Sequence, residues 1–387
     1  MHSKQLKVLH IMSGFGGGIS SFIRNKAEYM VNEAIQFDVV TYDECSTDFK
    51  TVIHNTGGSI YPLKNPKTTS WKDFKRSYTK VFQQNDYDII YCHINGYRNL
   101  PYYYYARKYS DAPFYVHAHT SHYPKEMLSN AQQLRIQMDQ FTNRKVTDLF
   151  VGCGSLSIQN IFGSSISKEE MIVIPNSVEV ERFIKDGETA QKHRKNYRQT
   201  YQIKDDELVI GHVGRLESVK NHELTIELGN YIKTNNLQMK ILIIGEGNRE
   251  KELKEAVSAQ DLGEVITFTG RISPIENFFP ALDVMILPSF AEGLPTVVVE
   301  AQASGVPVVM SDTITDEVDL GFKMLKTPSI NAGISEWIAA IEETQTVSIP
   351  DEKVRGKVIK EKRFSNDASA ELYIEFLKGT IDQYTID

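Results

Sequence analysis

Two carboxylates close to a glycine and a proline are the residues of this sequence best suited to hold a polar ligand. Glu292 and Glu300 have seven residues between them, and the apolar run 284–288 before them predicts a buried strand. We expect that strand to break at Gly293 and a helix to open at Pro295, because proline fits the first helical turn, where its missing N–H has no partner. The free amides and the dipole of that turn favour an anion.

The position of Glu300 adds a second function to this segment. On such a helix it lies about 7 Å beyond the first turn, at about 1.5 Å per residue, where its carboxylate could accept hydrogen bonds from vicinal hydroxyls such as those of a ribose. The alternative is an ordinary surface pair of glutamates on a strand–loop–helix segment. The β-branched residues 296–299 also favour a strand over a helix.

A glycine and two cations follow another predicted strand, 208–213. Arg215 and Lys220 lie five positions apart behind Gly214. A planar guanidinium fork and a compact ammonium group at one strand end can both reach a diphosphate. The competing interpretation is two solvated cations on a surface loop, which is the usual location of such residues.

Small residues end the next two predicted strands. Gly245, Glu246 and Gly247 follow the first of them, and Gly270 and Arg271 follow the second. Because glycine has no side chain, the backbone at these strand ends leaves room for the flat base of a nucleotide.

The first half of the chain has a glycine loop of its own, residues 14–18. It is not a dinucleotide fingerprint, because Ile19 occupies the third glycine position, and it does not match a P-loop. Glycines without a Cβ still allow a ligand to approach the backbone where a helix starts. A tight strand-to-helix turn without a ligand is the alternative.

Histidines stand at the end of the predicted strand 114–118. His117 and His119 share one strand face, but no carboxylate or thiol stands at metal-ligand spacing. Because ligands of open parallel sheets bind at the carboxyl ends of strands, we favour contact with sugar hydroxyls or phosphate over a structural role. Asp86 and Asp88 precede a strand, and we interpret them as turn residues rather than a metal-binding pair.

The pattern of apolar runs predicts an α/β protein with two Rossmann-like, doubly wound parallel sheets. The runs are mostly unbroken, which is typical of parallel strands covered on both faces, and they alternate with amphipathic stretches. A polar stretch, 175–207, divides them, so we place two domains at 1–185 and 186–366, with a last amphipathic helix at 367–381. The predicted strands are 7–12, 37–42, 60–63, 88–93, 114–118, 148–153, 171–174, 208–213, 239–244, 265–268, 283–287 and 306–310.

Composition excludes some classes of protein. The net charge of −7 argues against a dedicated nucleic-acid binder. The cysteines Cys45, Cys92 and Cys153 fit no zinc or disulfide spacing and indicate a reducing compartment. Neither a signal peptide nor an apolar span of about 18 residues stands out. We therefore expect a cytoplasmic protein, with at most a peripheral contact to the inner face of the membrane.

In order and spacing, these motifs resemble the family-4 glycosyltransferases, especially those that assemble bacterial surface polysaccharides or exopolysaccharides. The resemblance covers about residues 8–310 and is most specific in the second half of the chain. Gly17, Gly18 and His119 stand where that family has a glycine pair and a histidine, and Ser177 replaces the glycine of its Ile-Pro-Asn-Gly-Val segment. The implied fold is GT-B, with two Rossmann-like domains facing across a cleft and the helix in 367–387 packing back on the first.

The resemblance implies a retaining hexosyltransferase that uses a nucleoside-diphosphate sugar, above all a UDP-sugar, and a glycan or lipid-linked acceptor. The leaving diphosphate then takes the acceptor's proton on the front face, without a metal or other cofactor, because nearby cations and amides stabilise its charge. The implied catalytic residues are Glu292, His119, Arg215 and Lys220. The implied donor contacts are Arg215, Lys220, Gly245, Glu246, Gly270, Arg271, Glu292, Gly293, Leu294, Pro295, Thr296 and Glu300, and the phosphate or acceptor loop comprises Gly17, Gly18, His117 and Asn176.

The first domain is expected to select the acceptor. Aromatic and cationic residues mix at 71–76, 102–108 and 144–145. This mixture suits a sugar on a lipid diphosphate at an anionic membrane, but also plain helix surfaces with snorkelling side chains. Two other functions stay open, namely a nucleotide-sugar epimerase of the same fold and a non-catalytic sugar-nucleotide-binding subunit.

Overall fold

The computed structural model describes residues 5–386 and divides into two compact units. Unit 1 contains the chain up to Ser177 together with the segment from Arg363 onwards, and unit 2 is Val178–Lys362. The first boundary lies before the predicted 185/186, and the second lies before the predicted 366/367. Each unit is built on one parallel sheet, which confirms the predicted α/β class.

Unit 1 contains a seven-stranded sheet in the order β3-β2-β1-β4-β5-β6-β7. All its strand pairs are parallel. Its strands are β1 (Leu6–Ile11), β2 (Ile35–Thr41), β3 (Ile60–Pro62), β4 (Ile89–Cys92), β5 (Phe114–Ala118), β6 (Phe150–Gly152) and β7 (Met171–Val173). Its first six helices are α1 (Gly18–Met30), α2 (Thr47–Asn55), α3 (Trp71–Gln84), α4 (Leu100–Ala106), α5 (Asn130–Val146) and α6 (Ser155–Phe162). Every strand predicted for this half is present.

Unit 2 begins with two helices and contains a six-stranded sheet in the order β10-β9-β8-β11-β12-β13. Its strands are β8 (Leu208–Val213), β9 (Met239–Ile244), β10 (Ile266–Gly270), β11 (Val284–Leu287), β12 (Val308–Met310) and β13 (Leu325–Lys326). Its helices are α7 (Val180–Phe183), α8 (Gly187–Thr200), α9 (His222–Thr234), α10 (Glu250–Ala259), α11 (Thr296–Ala303), α12 (Ile334–Thr344) and α13 (Glu352–Glu361). Only β13 was not predicted, because two half-buried residues, one of them a lysine, make no apolar run.

In both sheets the strand order reverses beside the first strand of the unit. These switch points lie between β1 and β4 in unit 1 and between β8 and β11 in unit 2. The loops that leave the two central strands there run in opposite directions, so a crevice opens at the carboxyl ends, where open α/β sheets bind ligands. The loop 14–18 follows β1, and the two cations at 215 and 220 follow β8.

The last helix, α14 (Asn366–Leu377), belongs to unit 1 and packs on α1. The ring of Tyr373 lies edge-on to Phe22 of α1, with 5.6 Å between ring centroids. Beyond the helix, the backbone of Tyr384 bonds β7 through Val173 N to Tyr384 O at 2.7 Å. The segment from α14 to Tyr384 is thereby tied to both a helix and an edge strand of this unit.

The three cysteines are buried, and the described residues contain no disulfide between them. Among residues 5–386, none of the helices combines the length and the apolar character that crossing a bilayer requires.

Candidate functional site

The switch point of unit 2 carries a half-enclosed ion pair. Lys220 follows β8 and Glu292 follows β11, and Lys220 Nζ lies 2.6 Å from Glu292 Oε1. The two side chains are only 15% and 16% exposed. The backbone joins the same two loops, since Phe290 N donates to Val219 O at 2.9 Å. The structure therefore brings together one of the predicted cations and one of the predicted carboxylates.

Glycines allow the loops after β8 and β9 to pack backbone against backbone. A Cβ at Gly245 would lie 1.9 Å from Gly214 O, and one at Gly247 would lie 2.4 Å from Leu216 O. Gly214 leaves room for the stem of Lys220, whose Cε would lie 3.2 Å from an added Cβ. These glycines shape the surface around the ion pair.

Arg215 is placed differently from Lys220, although both stand on the same loop. Its side chain is 76% exposed and pairs with Glu217 at 2.7 Å. It takes no part in the pair between Lys220 and Glu292. Glu246 and Arg271 are likewise exposed at the ends of their strands.

The helix that follows Glu292 begins at Thr296, with Pro295 as its N-cap. The helix alternative for this segment is therefore right, and the strand preference of residues 296–299 is overridden. Val298 and Val299 are fully buried in this conformation, and burial of an apolar face outweighs the small intrinsic preference of β-branched residues.

Glu300 lies on the same helix, next to a buried acidic neighbour. Burial, and then the Glu276 carboxylate, raise the pKa of Glu300 to about 7, while a hydrogen bond from Thr296 and attraction to Arg182 oppose that rise. Arg182 of α7 pairs with the buried Glu276 at 2.7 Å. Glu276 Oε2 has no hydrogen-bond partner among the described residues. This corner of unit 2 thus holds two carboxylates and one guanidinium.

In unit 1 the glycine loop leads directly into α1. Gly16 and Gly17 have φ angles of 103° and 77°, which side chains with a Cβ rarely adopt. No atom lies within 4 Å of a Cβ added at Gly16, Gly17 or Gly18. Glycine is therefore required here by backbone conformation, and the space beside the loop is open to a ligand.

The two predicted histidines of unit 1 differ in exposure. His119 is partly exposed, and its Nε2 lies 2.7 Å from His93 Nδ1. His117 is fully buried, bonds Tyr91 at 2.8 Å and stacks on His119 with 4.1 Å between ring centroids. His117 therefore lies behind His119 rather than at the surface where we expected it.

The segment 175–177 closes unit 1 and is held by α1. Asn176 is partly exposed. Ser177, which replaces a glycine in the resemblance, accepts a hydrogen bond from Lys26 on its Oγ and one from Asn25 on its carbonyl, at 3.3 and 3.2 Å. Lys26 is fully buried, and burial lowers its pKa to about 7.

A cavity of about 600 Å³ opens at the carboxyl ends of β1 to β4. Aromatic rings and two cations, Lys67 and Arg98, face it, and no acidic residue does. Its lining is Ser13, Tyr42, Asn65, Pro66, Lys67, Trp71, Phe74, Ile94, Tyr97, Arg98, Leu100, Pro101 and Tyr102. The cations at 107 and 108 are engaged elsewhere, over the rings of Tyr103 and Tyr104.

Two family models account for most of the chain. Residues 16–182 match the model described as Glycosyltransferase Family 4, and residues 193–317 match the model described as Glycosyl transferases group 1. The chain belongs to the family-4 glycosyltransferases.

Relatives of this glycosyltransferase agree with that assignment. It is 28% identical over 359 residues to EpsF of Bacillus subtilis, which is described as a glycosyltransferase, with 90% of each chain covered. Over 199 residues it is 29% identical to the UDP-Gal:alpha-D-GlcNAc-diphosphoundecaprenol alpha-1,3-galactosyltransferase of Escherichia coli, covering 48% of this chain and 49% of that one. HepE of Anabaena, solved with UDP and glucose, matches with a TM-score of 0.74 at 19% identity, over 97% of this chain and 100% of that one. That similarity shows that this glycosyltransferase has the GT-B fold.

Some residues of the glycosyltransferase's candidate site were not found from the sequence. Arg182 and Glu276 lie far from Glu300 in sequence, and no local pattern connects them. Lys26 stands on an ordinary amphipathic helix, where a lysine predicts exposure. His93 did offer a signal, since it ends a strand at the sheet edge that binds ligands.

Proposed function

We propose that this glycosyltransferase moves a hexose-type sugar from a UDP-sugar to a glycan or lipid-linked acceptor, with retention of configuration, in the assembly of a cell-surface polysaccharide. The observation that carries the proposal is the Lys220–Glu292 pair at the switch point of unit 2. The E. coli relative, named for transfer from UDP-Gal to a diphosphoundecaprenol-linked sugar, supports the donor and acceptor classes. HepE, solved with UDP-glucose, supports the same donor class.

The ion pair is suited to exchange partners when a donor binds. A diphosphate brings two negative charges to Lys220 and competes with Glu292 for its ammonium group. Because the pair is largely shielded from water, charge interactions there are stronger than at an open surface. The Glu292 carboxylate is then available for hydroxyls of the donor sugar, where its charge also favours positive character at the anomeric carbon.

Glu300 and the start of α11 provide the nucleotide contacts. The first-turn amides of α11 favour phosphate oxygens, and an ionised Glu300 can accept hydrogen bonds from both ribose hydroxyls. Gly245, Glu246, Gly270 and Arg271, at the ends of the neighbouring strands, form the surface on which we place the base.

The chemical step requires stabilisation of the charge that develops on the leaving diphosphate. Lys220 and the amides of α11 supply positive charge at fixed positions, and Arg215 can join them by leaving its exposed partner Glu217. We propose a metal-independent, front-face route in which the departing phosphate oxygen takes the proton of the acceptor hydroxyl, without a covalent enzyme intermediate.

Unit 1 supplies the acceptor site in this proposal. The aromatic walls of the 600 Å³ cavity suit the apolar faces of sugar rings, and Lys67 and Arg98 suit a phosphate group. An acceptor carried on a lipid diphosphate would bring this unit to an anionic membrane surface. We propose that His119 and the loop at Gly17 and Gly18 contact a sugar or phosphate group of a substrate.

The test begins with a thermal-shift screen of nucleoside diphosphates and their sugars, because a ligand of the native state raises its stability. We expect UDP and a UDP-sugar to stabilise the protein. Incubation of that donor with membrane lipid extract should then yield a glycosylated product, and NMR should show its anomeric configuration unchanged. A new sugar isomer formed from the donor alone would instead identify an epimerase, and binding without transfer or hydrolysis would identify a non-catalytic subunit.

A further inference from the structure

A chain of three hydrogen-bonded histidines runs from the interior of unit 1 to its surface. His10 on β1 is fully buried, His93 follows β4 and is 3% exposed, and His119 follows β5 and is partly exposed. His10 Nδ1 lies 3.0 Å from His93 Nε2, and His93 Nδ1 lies 2.7 Å from His119 Nε2. The rings are therefore linked head to tail across three neighbouring strands.

All three rings are neutral at neutral pH. Burial lowers the pKa of His10 and of His119 to about 3. Burial and then the neighbouring histidines lower the pKa of His93 well below its ordinary value. A neutral imidazole has one N–H donor and one acceptor nitrogen. Three such rings in a row can form two hydrogen bonds only if the N–H groups all point in the same direction along the row of histidines.

The inner end of the chain selects the direction. His10 Nε2 is buried and has no hydrogen-bond partner among residues 5–386. Its ring is surrounded by Phe37, Tyr91 and Tyr373, with the centroid of Phe37 at 4.4 Å. If the N–H groups pointed inward, a donor would be buried unpaired at this nitrogen, whereas the outward direction leaves only an unpaired acceptor there. Buried unpaired N–H groups are the rarer of the two in proteins.

We infer that His10 and His93 hold His119 in its Nδ1–H tautomer, so that His119 offers an N–H donor, and not an acceptor, at the partly exposed end of the chain. Nδ1 is the nitrogen of His119 that has no partner in the described part of the chain. The stacked ring of His117 and the edge of Phe22, 5.4 Å away, fix the plane of the ring.

The chemical class of the contacted group follows from this tautomer, and it rests on the proposed function. A fixed N–H donor suits a sugar hydroxyl oxygen or a phosphate oxygen, and does not suit a group that must be deprotonated. Because His10 Nε2 makes no hydrogen bond within residues 5–386, the row of histidines has no hydrogen-bonded continuation at its inner end, and its role is to fix a tautomer. His10 and His93 are thus positioning residues.

Long-range 1H–15N NMR of the full chain labelled with [15N]histidine tests the inference directly. The spectra are recorded without substrate at pH 8, and the His119 signals are assigned with His119→Asn. We expect a protonated Nδ1 and an unprotonated Nε2 at His119. The exposed His54, which is not one of the three hydrogen-bonded histidines, is the internal control and should show the Nε2–H form that predominates in a histidine side chain in water. A His119 with a protonated Nε2 would overturn the inference.

Two variants connect the tautomer with catalysis. His93→Asn keeps an amide N–H near the position of His93 Nδ1, so it should leave His119 in its Nδ1–H form and retain a kcat well above that of His93→Phe. His93→Phe removes the donor, and kcat should fall in proportion to the fraction of His119 that loses the Nδ1–H form, while KM for the donor stays constant. If His93→Phe does not fold, the wild-type and His93→Asn spectra still show which nitrogen of His119 is protonated. Equal kcat in folded His93→Phe, despite a changed tautomer, would overturn the positioning role.

These readouts separate the inference from the proposed function. The spectra need no substrate, so a Nδ1–H form in a protein that transfers no sugar would count against the function and support the tautomer assignment. A Nε2–H form in an active transferase would count against the inference alone.

Discussion

Lys220 Nζ donates a hydrogen bond to Glu292 Oε1 at 2.6 Å, and so links the two loops on either side of the switch point in unit 2. The residues are far apart in sequence and meet because β8 and β11 are neighbours in the sheet. Removing one partner of such a shielded pair leaves the other charge without compensation, whereas removing a surface pair changes little.

We expect Lys220→Ala to lower kcat/KM by about 10²-fold to 10³-fold, which is typical of losing one donor that stabilises a developing oxyanion. Steady-state kinetics and calorimetric titration with UDP provide the measurement. Lys233→Ala is the matched control, because that lysine pairs with the exposed Asp261 in the same unit, and it should change neither quantity. Wild-type affinity for UDP in Lys220→Ala would remove Lys220 from the donor site.

Glu300 should make donor binding depend on pH. Its pKa is raised from 4.5 to about 7, so between these values the folded protein holds a proton that the unfolded chain has released. The contribution of Glu300 protonation to the free energy of unfolding is therefore fully present below pH 4.5 and is lost as the pH rises through 7. Binding has the opposite trend, because the ionised carboxylate is the form that accepts two ribose hydrogen bonds.

Affinity for the UDP-sugar should therefore rise as the pH increases from 6 to 8 in the wild type. Glu300→Gln should bind more weakly, with no rise over the same range. Calorimetric titration with a UDP-sugar is the suitable measurement, because its bridging diphosphate has no ionisation near pH 7. Parallel pH profiles for the two proteins would show that Glu300 is not the group that titrates.

Much of the fold was predictable, because buried parallel strands have unbroken apolar sequences. The exception, β13, is short and half-buried, so its residues give no such signal. In the segment 296–299 the sequence signal is present but favours the wrong structure. Its residues prefer a strand, and only their burial in unit 2 makes the segment helical.

The sequence predicted which residues lie at the candidate site, but it did not predict which side chains pair with each other. Strand ends marked Lys220, Glu292 and Glu300, because parallel strands place their carboxyl ends along one edge of the sheet. Neither the pairing of Arg215 with Glu217 nor the approach of Glu276 to Glu300 follows from spacing, because both depend on side-chain conformation and packing. The same is true of the contact between His10 and His93, which needs the register of β1 against β4.

Lys26 should give unit 1 a measurable pH dependence of stability. Burial lowers its pKa from 10.5 to about 7, so between these values the unfolded chain binds a proton that the folded protein lacks. Stability should therefore rise with pH across this window, by up to about 1.4 kcal/mol per pH unit from this group alone.

Lys26→Met should remove that dependence. The lysine Nζ lies within hydrogen-bond distance of Pro175 O, Ser177 Oγ and Ser369 Oγ, and the methionine thioether fills a similar volume without a charge. Urea unfolding at several pH values between 7 and 9.5 gives the free energy of unfolding for both proteins. Equal slopes in the wild type and the variant would mean that Lys26 is charged in the folded state.

Among the glycines around the ion pair, Gly245 is the one whose replacement should destabilise the protein most. Its φ is 144°, and an added Cβ would lie 1.9 Å from the carbonyl oxygen of Gly214, so the loops after β8 and β9 would have to separate. We expect Gly245→Ala to destabilise the protein by more than about 2 kcal/mol, from overpacking and backbone strain together, and to weaken UDP binding.

Gly263→Ala and Gly16→Ala provide the comparison. At Gly263 nothing lies within 4 Å of an added Cβ and φ is not positive, so alanine should be neutral or stabilise by about 0.4–1 kcal/mol. At Gly16 the surroundings are also open, but φ is 103°, so only the conformational cost of about 1–3 kcal/mol remains. Chemical denaturation of the three variants gives the order of stability. If Gly245→Ala proves as stable as Gly263→Ala, the backbone approach between the two loops is not a tight constraint on the donor site.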